Sequence, residues 1–219
     1  MSEMRHAIFD LDGTLVDSLP GIRWSVEEAL SACGLPPLGG ELRPLIGPPI
    51  RSILARVSGL SDDPSLDRLE RAFRTSYDAE GWSRTVCYAG VRDLLWDLLT
   101  SGVGLWLVTN KPAAATRKIL SQLRLDGFFG EVVCRNSRSP VYRSKDEALM
   151  DLVRRRGLYR RECVLIGDTA EDSQAAASAG MECVIVAHGY GSGPVSKLPE
   201  WGAVRRCFAE SRELVEAEL

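Results

Sequence analysis

The feature that most constrains this chain is an alternation of short apolar runs with helical patterns. Runs with the look of strands occur at 104–109 (GLWLVT), 131–134 (EVVC), 163–168 (CVLIGD) and 183–187 (CVIVA), and an earlier one at 6–10 (HAIFD). Between them lie 91–101, closing at Gly102, and 112–124, opening with Pro112 and preceding Gly127. The stretch 144–156 starts with Ser144 and Glu147 in capping-box spacing and ends in three arginines before Gly157; 170–179 ends at Gly180. Strands that alternate with helices predict a parallel sheet with right-handed crossovers, an α/β fold.

Residues 19–87 break this rhythm. Helical patterns at 20–33, about 43–58 and 65–80 are joined by GLPPLGG (34–40) and IGPPI (46–50), and no run there reads as a strand. The segment is expected to be a helical insertion after the first strand, hinged near Asp17–Pro20 and Tyr88–Gly90. A length of 219 residues fits one core carrying one insertion. The net charge of −3 offers no field for nucleic acid or an anionic membrane, so the expected partner is a small solute. None of the six cysteines forms a CxxC pair, and there are only two histidines. Cys134, Cys163 and Cys183 lie in strand-like runs and read as small hydrophobes. With no leader-like or membrane-spanning run, the expectation is a cytoplasmic protein.

In an open parallel sheet, ligands bind beyond the carboxyl ends of the strands. Those ends carry Asp10 and Asp12, then Thr109, Asn110 and Lys111, then Asp168 and Asp172. Asp10 and Asp12 have period-two spacing and can face one site if the chain stays extended. Three carboxylates at one point repel without a cation, and an all-oxygen set suits Mg2+ bridging to a phosphate.

The segment Phe9-Asp10-Leu11-Asp12-Gly13-Thr14-Leu15-Val16 resembles the first signature of the haloacid-dehalogenase-like hydrolase superfamily. Val108-Thr109-Asn110-Lys111-Pro112 resembles the second, Lys145 stands at the place of the third, and Gly167-Asp168-Thr169-Ala170-Glu171-Asp172 resembles the fourth. With His188-Gly189-Tyr190-Gly191, the chain is most similar to the phosphoglycolate-phosphatase-like branch. The resemblance implies a Rossmann-like, three-layer α/β/α core over 1–16 and 88–219, with a helical cap over 17–87. It implies an Mg2+-dependent phosphatase that hydrolyses a small phosphorylated metabolite through an aspartyl-phosphate, as a monomer or homodimer. Alternatives are a phosphomutase of the same superfamily and a non-enzymatic receiver-like module with a phosphorylatable aspartate.

The implied roles follow the chemistry of each residue. Asp10 is the nucleophile, and Asp12 the acid and base whose backbone carbonyl also meets the metal. Asp10 and Asp168 are carboxylate ligands, and Asp172 a further ligand or the orienter of a metal-bound water. Thr109, the Asn110 backbone N–H and Lys145 bind the phosphoryl group, with Arg143 the fallback for Lys145. A departure from the branch stands here, because Asp146 follows the lysine where proline is usual. In the cap, Gly47 and Arg51 are candidate substrate contacts. Lys111 reads as a solvated charge, and Asp17 as a turn or cap residue at the hinge, outside the chemistry.

Overall fold

The run His6–Phe9 forms strand β1, whose alternating side chains serve two cores: Ala7 and Phe9 enter one buried cluster and Ile8 the other. The structure, a computed structural model, describes residues 4–192, 204, 205 and 207. β1 pairs in parallel with β4 (Gly104–Thr109) on one side and β6 (Cys163–Gly167) on the other. Two outer strands, β5 (Glu131–Cys134) and β7 (Glu182–Ile185), complete a parallel sheet in the order β5-β4-β1-β6-β7. Helices α4 (Val91–Thr100) and α5 (Ala113–Gln122) pack on the Ala7/Phe9 face; α6 (Lys145–Arg156) and α7 (Ala170–Ala179) pack on the Ile8 face. The core is thus a Rossmann-like three-layer sandwich, and each predicted core strand is present to within two residues.

Helix ends follow local chemistry, with one correction. Gly157 and Gly180 end α6 and α7 at φ 64° and 66°, a conformation that costs glycine least. The capping box expected at Ser144 does not form. Arg138 pairs with Glu147, whose other oxygen accepts the Arg143 N–H at 2.7 Å. The box forms instead at the start of α7, where Thr169 and Asp172 bond reciprocally. Of the strand cysteines, Cys134 and Cys163 are buried and Cys183 is half-buried; among the described residues no disulfide forms.

Between β1 and β4 comes the helical insertion: α1 (Leu19–Ala32), α2 (Ile50–Ser58) and α3 (Asp63–Ala79), around a cluster of their own that includes Val26, Leu30, Leu54, Leu69 and Phe73. The single helix expected over 43–58 is two pieces, a 3-10 turn at Arg43–Leu45 and α2. Pro48 and Pro49 lie between them and supply no N–H for a continuous helix. A two-stranded antiparallel ribbon, β2 (Val16–Asp17) with β3 (Val86–Cys87), joins insertion to core. Two-residue strands are too short to leave a period in the sequence. Among the described residues no helix is long and apolar enough to cross a membrane.

Inside the insertion, α1 is seated on the 3-10 turn at Gly81–Arg84, after α3, through two glycines. A Cβ on Gly21 of α1 would stand 2.0 Å from the Gly81 carbonyl oxygen, so the backbones meet where no side chain fits. Gly21→Ala should overpack this contact at a cost of about 1–3 kcal/mol. Thermal unfolding should show a fall in Tm of at least about 2 °C; an unchanged Tm would contradict this seating.

Candidate active site

Because the five strands run in parallel, their carboxyl ends share one edge. Asp10 follows β1 directly, Asp168 follows β6, Asp172 lies in the first turn of α7, and Lys145 opens α6. All four are buried. One oxygen from each of Asp10, Asp168 and Asp172 falls within a 4.8 Å group. Lys145 Nζ sits 3.0 Å from Asp10 Oδ1 and 2.5 Å from Asp172 Oδ1. Lys145 is thus at the carboxylate cluster, and the fallback Arg143 is exposed.

The acids differ in what satisfies them. Asp172 is fully committed: its second oxygen accepts the N–H groups of Asp168 and Thr169 and the Thr169 hydroxyl. Burial alone would raise its pKa, but Lys145 and these donors hold it below the usual carboxylate range. Asp168 accepts the Thr14 hydroxyl at 3.0 Å and the Tyr190 N–H at 2.6 Å. Burial still pushes its pKa up to about 6. Asp10 is the least satisfied. Its Oδ1 is buried and accepts no well-directed hydrogen bond, the lysine nearby making an ion pair only. Burial, opposed by Lys145 and reinforced by Asp172, Asp168 and Asp12, pushes the Asp10 pKa up to about 8.

Asp12 faces a different cation. Lys111 Nζ lies 3.0 and 3.2 Å from its two oxygens and 4.9 Å from the Tyr77 ring centroid. The reading of Lys111 as a solvated charge is therefore corrected. It is buried, since Asp12 and the α3 aromatic enclose it, and Asp12 more than offsets the effect of burial to hold its pKa above the usual lysine value. Its place two residues past Thr109 was visible in the sequence, but the helix that covers it was not. Thr109 is buried, and its hydroxyl oxygen accepts the Lys111 N–H at 3.2 Å, which leaves its proton free to donate. The Asn110 side chain donates to the Gly47 carbonyl at 3.3 Å and to Glu171 at 2.8 Å, tying the insertion to the core.

A cavity of about 270 Å³ opens between insertion and core. Asp10, Asp12, Thr109, Asn110 and Lys145 line its floor, and Ile46, Ile53, Phe73 and Tyr77 its roof. Gly47 and Arg51 are at its wall, but Arg51 is already engaged. Its guanidinium reaches Asp63 at 2.8 Å, Asp67 at 2.6 Å and Glu70 at 3.5 Å, stapling α2 to α3. Arg135, one residue beyond the Cys134–Thr109 pair, also lines the cavity and is half-buried. The sequence gives no periodic or spacing signal for it. Trp24 and Trp82 do not line the cavity; Trp24 stacks under Arg84 at 4.3 Å, and Trp82 packs between the two clusters.

The sequence profile described as haloacid dehalogenase-like hydrolase matches residues 7–186, from β1 to just beyond β7. The chain belongs to this family. It is similar to a phosphoglycolate phosphatase of Pseudomonas putida, 33% identical over 196 residues, covering 86% of this chain and 71% of that one. It is similar also to the tyrosine-protein kinase PtkA of Mycobacterium tuberculosis, 36% identical over 185 residues. That alignment covers 84% of this chain and 62% of the kinase's length. Among solved structures, that of a predicted phosphoglycolate phosphatase from Haemophilus somnus superposes with a TM-score of 0.77 at 27% identity, covering 89% of this chain and 90% of that one.

In this haloacid-dehalogenase-like hydrolase the residues present fit a divalent cation. The donor set is all oxygen, the carboxylates converge, and the buried Asp10 oxygen is left without a hydrogen bond. The raised pKa values give a sign to test. Asp10 and Asp168 bind protons more tightly folded than unfolded, so their contribution to stability falls as pH rises from about 4 to about 8. A bound cation stabilises the ionised forms and removes that cost. The Tm increase on adding Mg2+ to chelator-treated protein should accordingly be larger at pH 8 than at pH 5. An equal increase at both would contradict the carboxylate cluster as the binding site.

Proposed function

We propose that the protein is an Mg2+-dependent phosphomonoesterase working through an aspartyl-phosphate, with residues 17–87 as a cap over a core of 1–16 and 88–219. The observation that carries this reading is the under-satisfied Asp10 carboxylate at the end of the central strand, facing the cavity under the insertion beside Lys145 and Thr109.

The chemistry assigns each side chain a task. Asp10 attacks phosphorus, forming an O–P bond as the bond to the leaving oxygen breaks, and Asp12 gives that oxygen its proton. Asp12, now a carboxylate, takes a proton from water as the water attacks the acyl phosphate, releasing phosphate and restoring Asp10. Lys111 holds the Asp12 carboxylate in direction throughout. The Thr109 hydroxyl, the Asn110 N–H and the free proton of Lys145 meet the phosphoryl oxygens. Mg2+ would be held by Asp10, Asp168 and the Asp12 carbonyl, with Asp172 behind them, and would screen the attacking carboxylate from the phosphate dianion.

For the substrate, we favour a small acid of the phosphoglycolate kind. A cavity of about 270 Å³ under a cap suits a metabolite better than the side chain of a folded protein, which argues against a tyrosine acceptor like that named for PtkA. Arg135 replaces Arg51 as the cation for a second anionic group, since Arg51 has three carboxylate partners. A phosphomutase would use the same core and differ in returning the phosphoryl group to its intermediate. A receiver-like module has no use for Asp12 beside a cavity roofed by a helical insertion.

Purified protein with Mg2+ should release phosphate from phosphoglycolate, and Asp10→Asn should lower the rate at least about a thousandfold. Hydrolysis retained in that variant would remove Asp10 as nucleophile; isomerised sugar phosphate without free phosphate would favour the mutase. Arg135→Gln should raise KM for phosphoglycolate about tenfold, and raise it much less for p-nitrophenyl phosphate, which lacks the second anion. Equal changes for both esters would return the specificity role to another residue.

A further inference from the structure

We infer that Tyr190 is a positioning residue that couples the carboxylate of Asp168 to the hinge of the cap. The residue is buried, 2% exposed, and its two ends make different contacts. Its backbone N–H donates to Asp168 Oδ2 at 2.6 Å. Its phenol oxygen, on the other side of the ring, accepts the N–H of Ser18 at 2.7 Å and of Leu19 at 3.0 Å, and donates to Asp17 Oδ1 at 2.9 Å.

Those amides belong to the first turn of α1, where the chain leaves the ribbon for the cap. Donors there have no partner within the helix, and the Ser18 side chain makes no capping bond to the helix backbone. The Leu19 N–H is shared between Asp17 Oδ1 at 3.0 Å and a phenol from 171 residues away in sequence, and the Ser18 N–H goes to that phenol. The cap itself holds the same loop. Arg43 donates to the carbonyls of His188 at 2.9 Å and Gly189 at 2.6 Å, and its guanidinium lies 5.4 Å from the Tyr190 ring centroid.

The contact with Asp168 is close along its whole length. A Cβ on Gly189 would stand 2.1 Å from Asp168 Cβ, and one on Gly191 would stand 2.4 Å from the Asp168 carbonyl oxygen. Gly13 of the β1 loop meets both residues, since a Cβ there would stand 2.2 Å from Asp168 Oδ2 and 2.8 Å from the Tyr190 ring. Interfaces packed this tightly transmit small shifts, because they do not deform continuously. Drawing Asp168 towards a cation therefore moves the Tyr190 backbone, and with it the phenol that fixes the hinge. By linkage, ordering the hinge raises cation affinity by the same factor.

The inference rests on reading Asp168 as a cation ligand. Tyr190→Phe keeps the ring and the N–H to Asp168 and removes only the hydroxyl. Amide hydrogen exchange, followed by NMR on the chelator-treated full chain with and without Mg2+, reads the hinge without turnover. In the wild type, Mg2+ should slow exchange at Ser18 and Leu19. In Tyr190→Phe the Ser18 amide should exchange roughly tenfold faster and Leu19, which keeps Asp17 as acceptor, less so, with the Mg2+ slowing lost at both, and the Mg2+ concentration for half the Tm increase should rise several-fold. Arg43→Gln cuts the link at the cap end while leaving the phenol in place, and should weaken the Mg2+ response too; it decides the matter if Tyr190→Phe does not fold. A wild-type response in the folded variants would overturn the coupling. Wild-type protein that binds Mg2+ with a hinge indifferent to it would overturn the coupling alone. Wild-type protein that ignores Mg2+ would overturn the cation reading and the coupling with it.

Discussion

The molecule is organised around an electrostatic conflict at the end of its central strand. Three buried carboxylates, Asp10, Asp168 and Asp172, converge at the floor of the cavity, and one buried lysine stands among them. Removing charge from water is costly, and like charges at this separation add to the cost. The conflict is resolved unevenly. Asp172 takes Lys145 and three donors from the start of α7, and becomes a fixed anion that holds the lysine in place. Asp168 takes two donors, whereas Asp10 takes only the ion pair. The carboxylate left most in need of a partner is thus the one at the cavity floor, which is what the proposed nucleophile requires.

Backbone geometry makes that concentration of charge possible. Gly13, Gly189 and Gly191 surround Asp168, and a side chain at any of them would overlap it. Gly167 gives Asp172 the same room, since a Cβ there would lie 2.2 Å from the Asp172 carboxyl carbon. Bare backbone close to a carboxylate can offer N–H groups at short range, as Tyr190 does to Asp168. The HGYG segment, which in the sequence is only a resemblance, is in the structure the wall of the carboxylate site.

How far the sequence reached depended on whether a feature is local. Core strands have apolar runs of four or more residues, and the helix ends at Gly157 and Gly180 carry their own chemistry, so they could be read directly. The acids could be read because parallel strands oblige their carboxyl ends to meet. Lys111 could not, since its burial depends on Tyr77, thirty-four positions earlier and in the insertion. Arg51 does line the cavity, but its partners Asp63, Asp67 and Glu70 could not be read, since they lie on a helix whose packing angle no spacing specifies. The two-residue ribbon and the box displaced from Ser144 to Thr169 were hidden for the same reason, being decided by neighbours in space.

The seam between cap and core has a character that bears on motion. Apart from those of the Tyr190 phenol, its hydrogen bonds run mostly from a side chain to a backbone carbonyl: Arg43 to His188 and Gly189, Asn110 to Gly47, Lys118 to Asp78, Gln122 to Ser83. Each is worth about 0.5–1.5 kcal/mol, and each can be exchanged for water. The apolar clusters, by contrast, stay largely within their own side of the seam, with Trp82, Ala115 and Tyr190 among the few residues that bridge it. Opening the cap would break replaceable bonds and leave both cores intact, which is what repeated substrate entry and phosphate release require. Of these three bridging residues, Tyr190 alone also donates to a carboxylate of the site, so one buried contact across the seam reaches the carboxylate cluster directly.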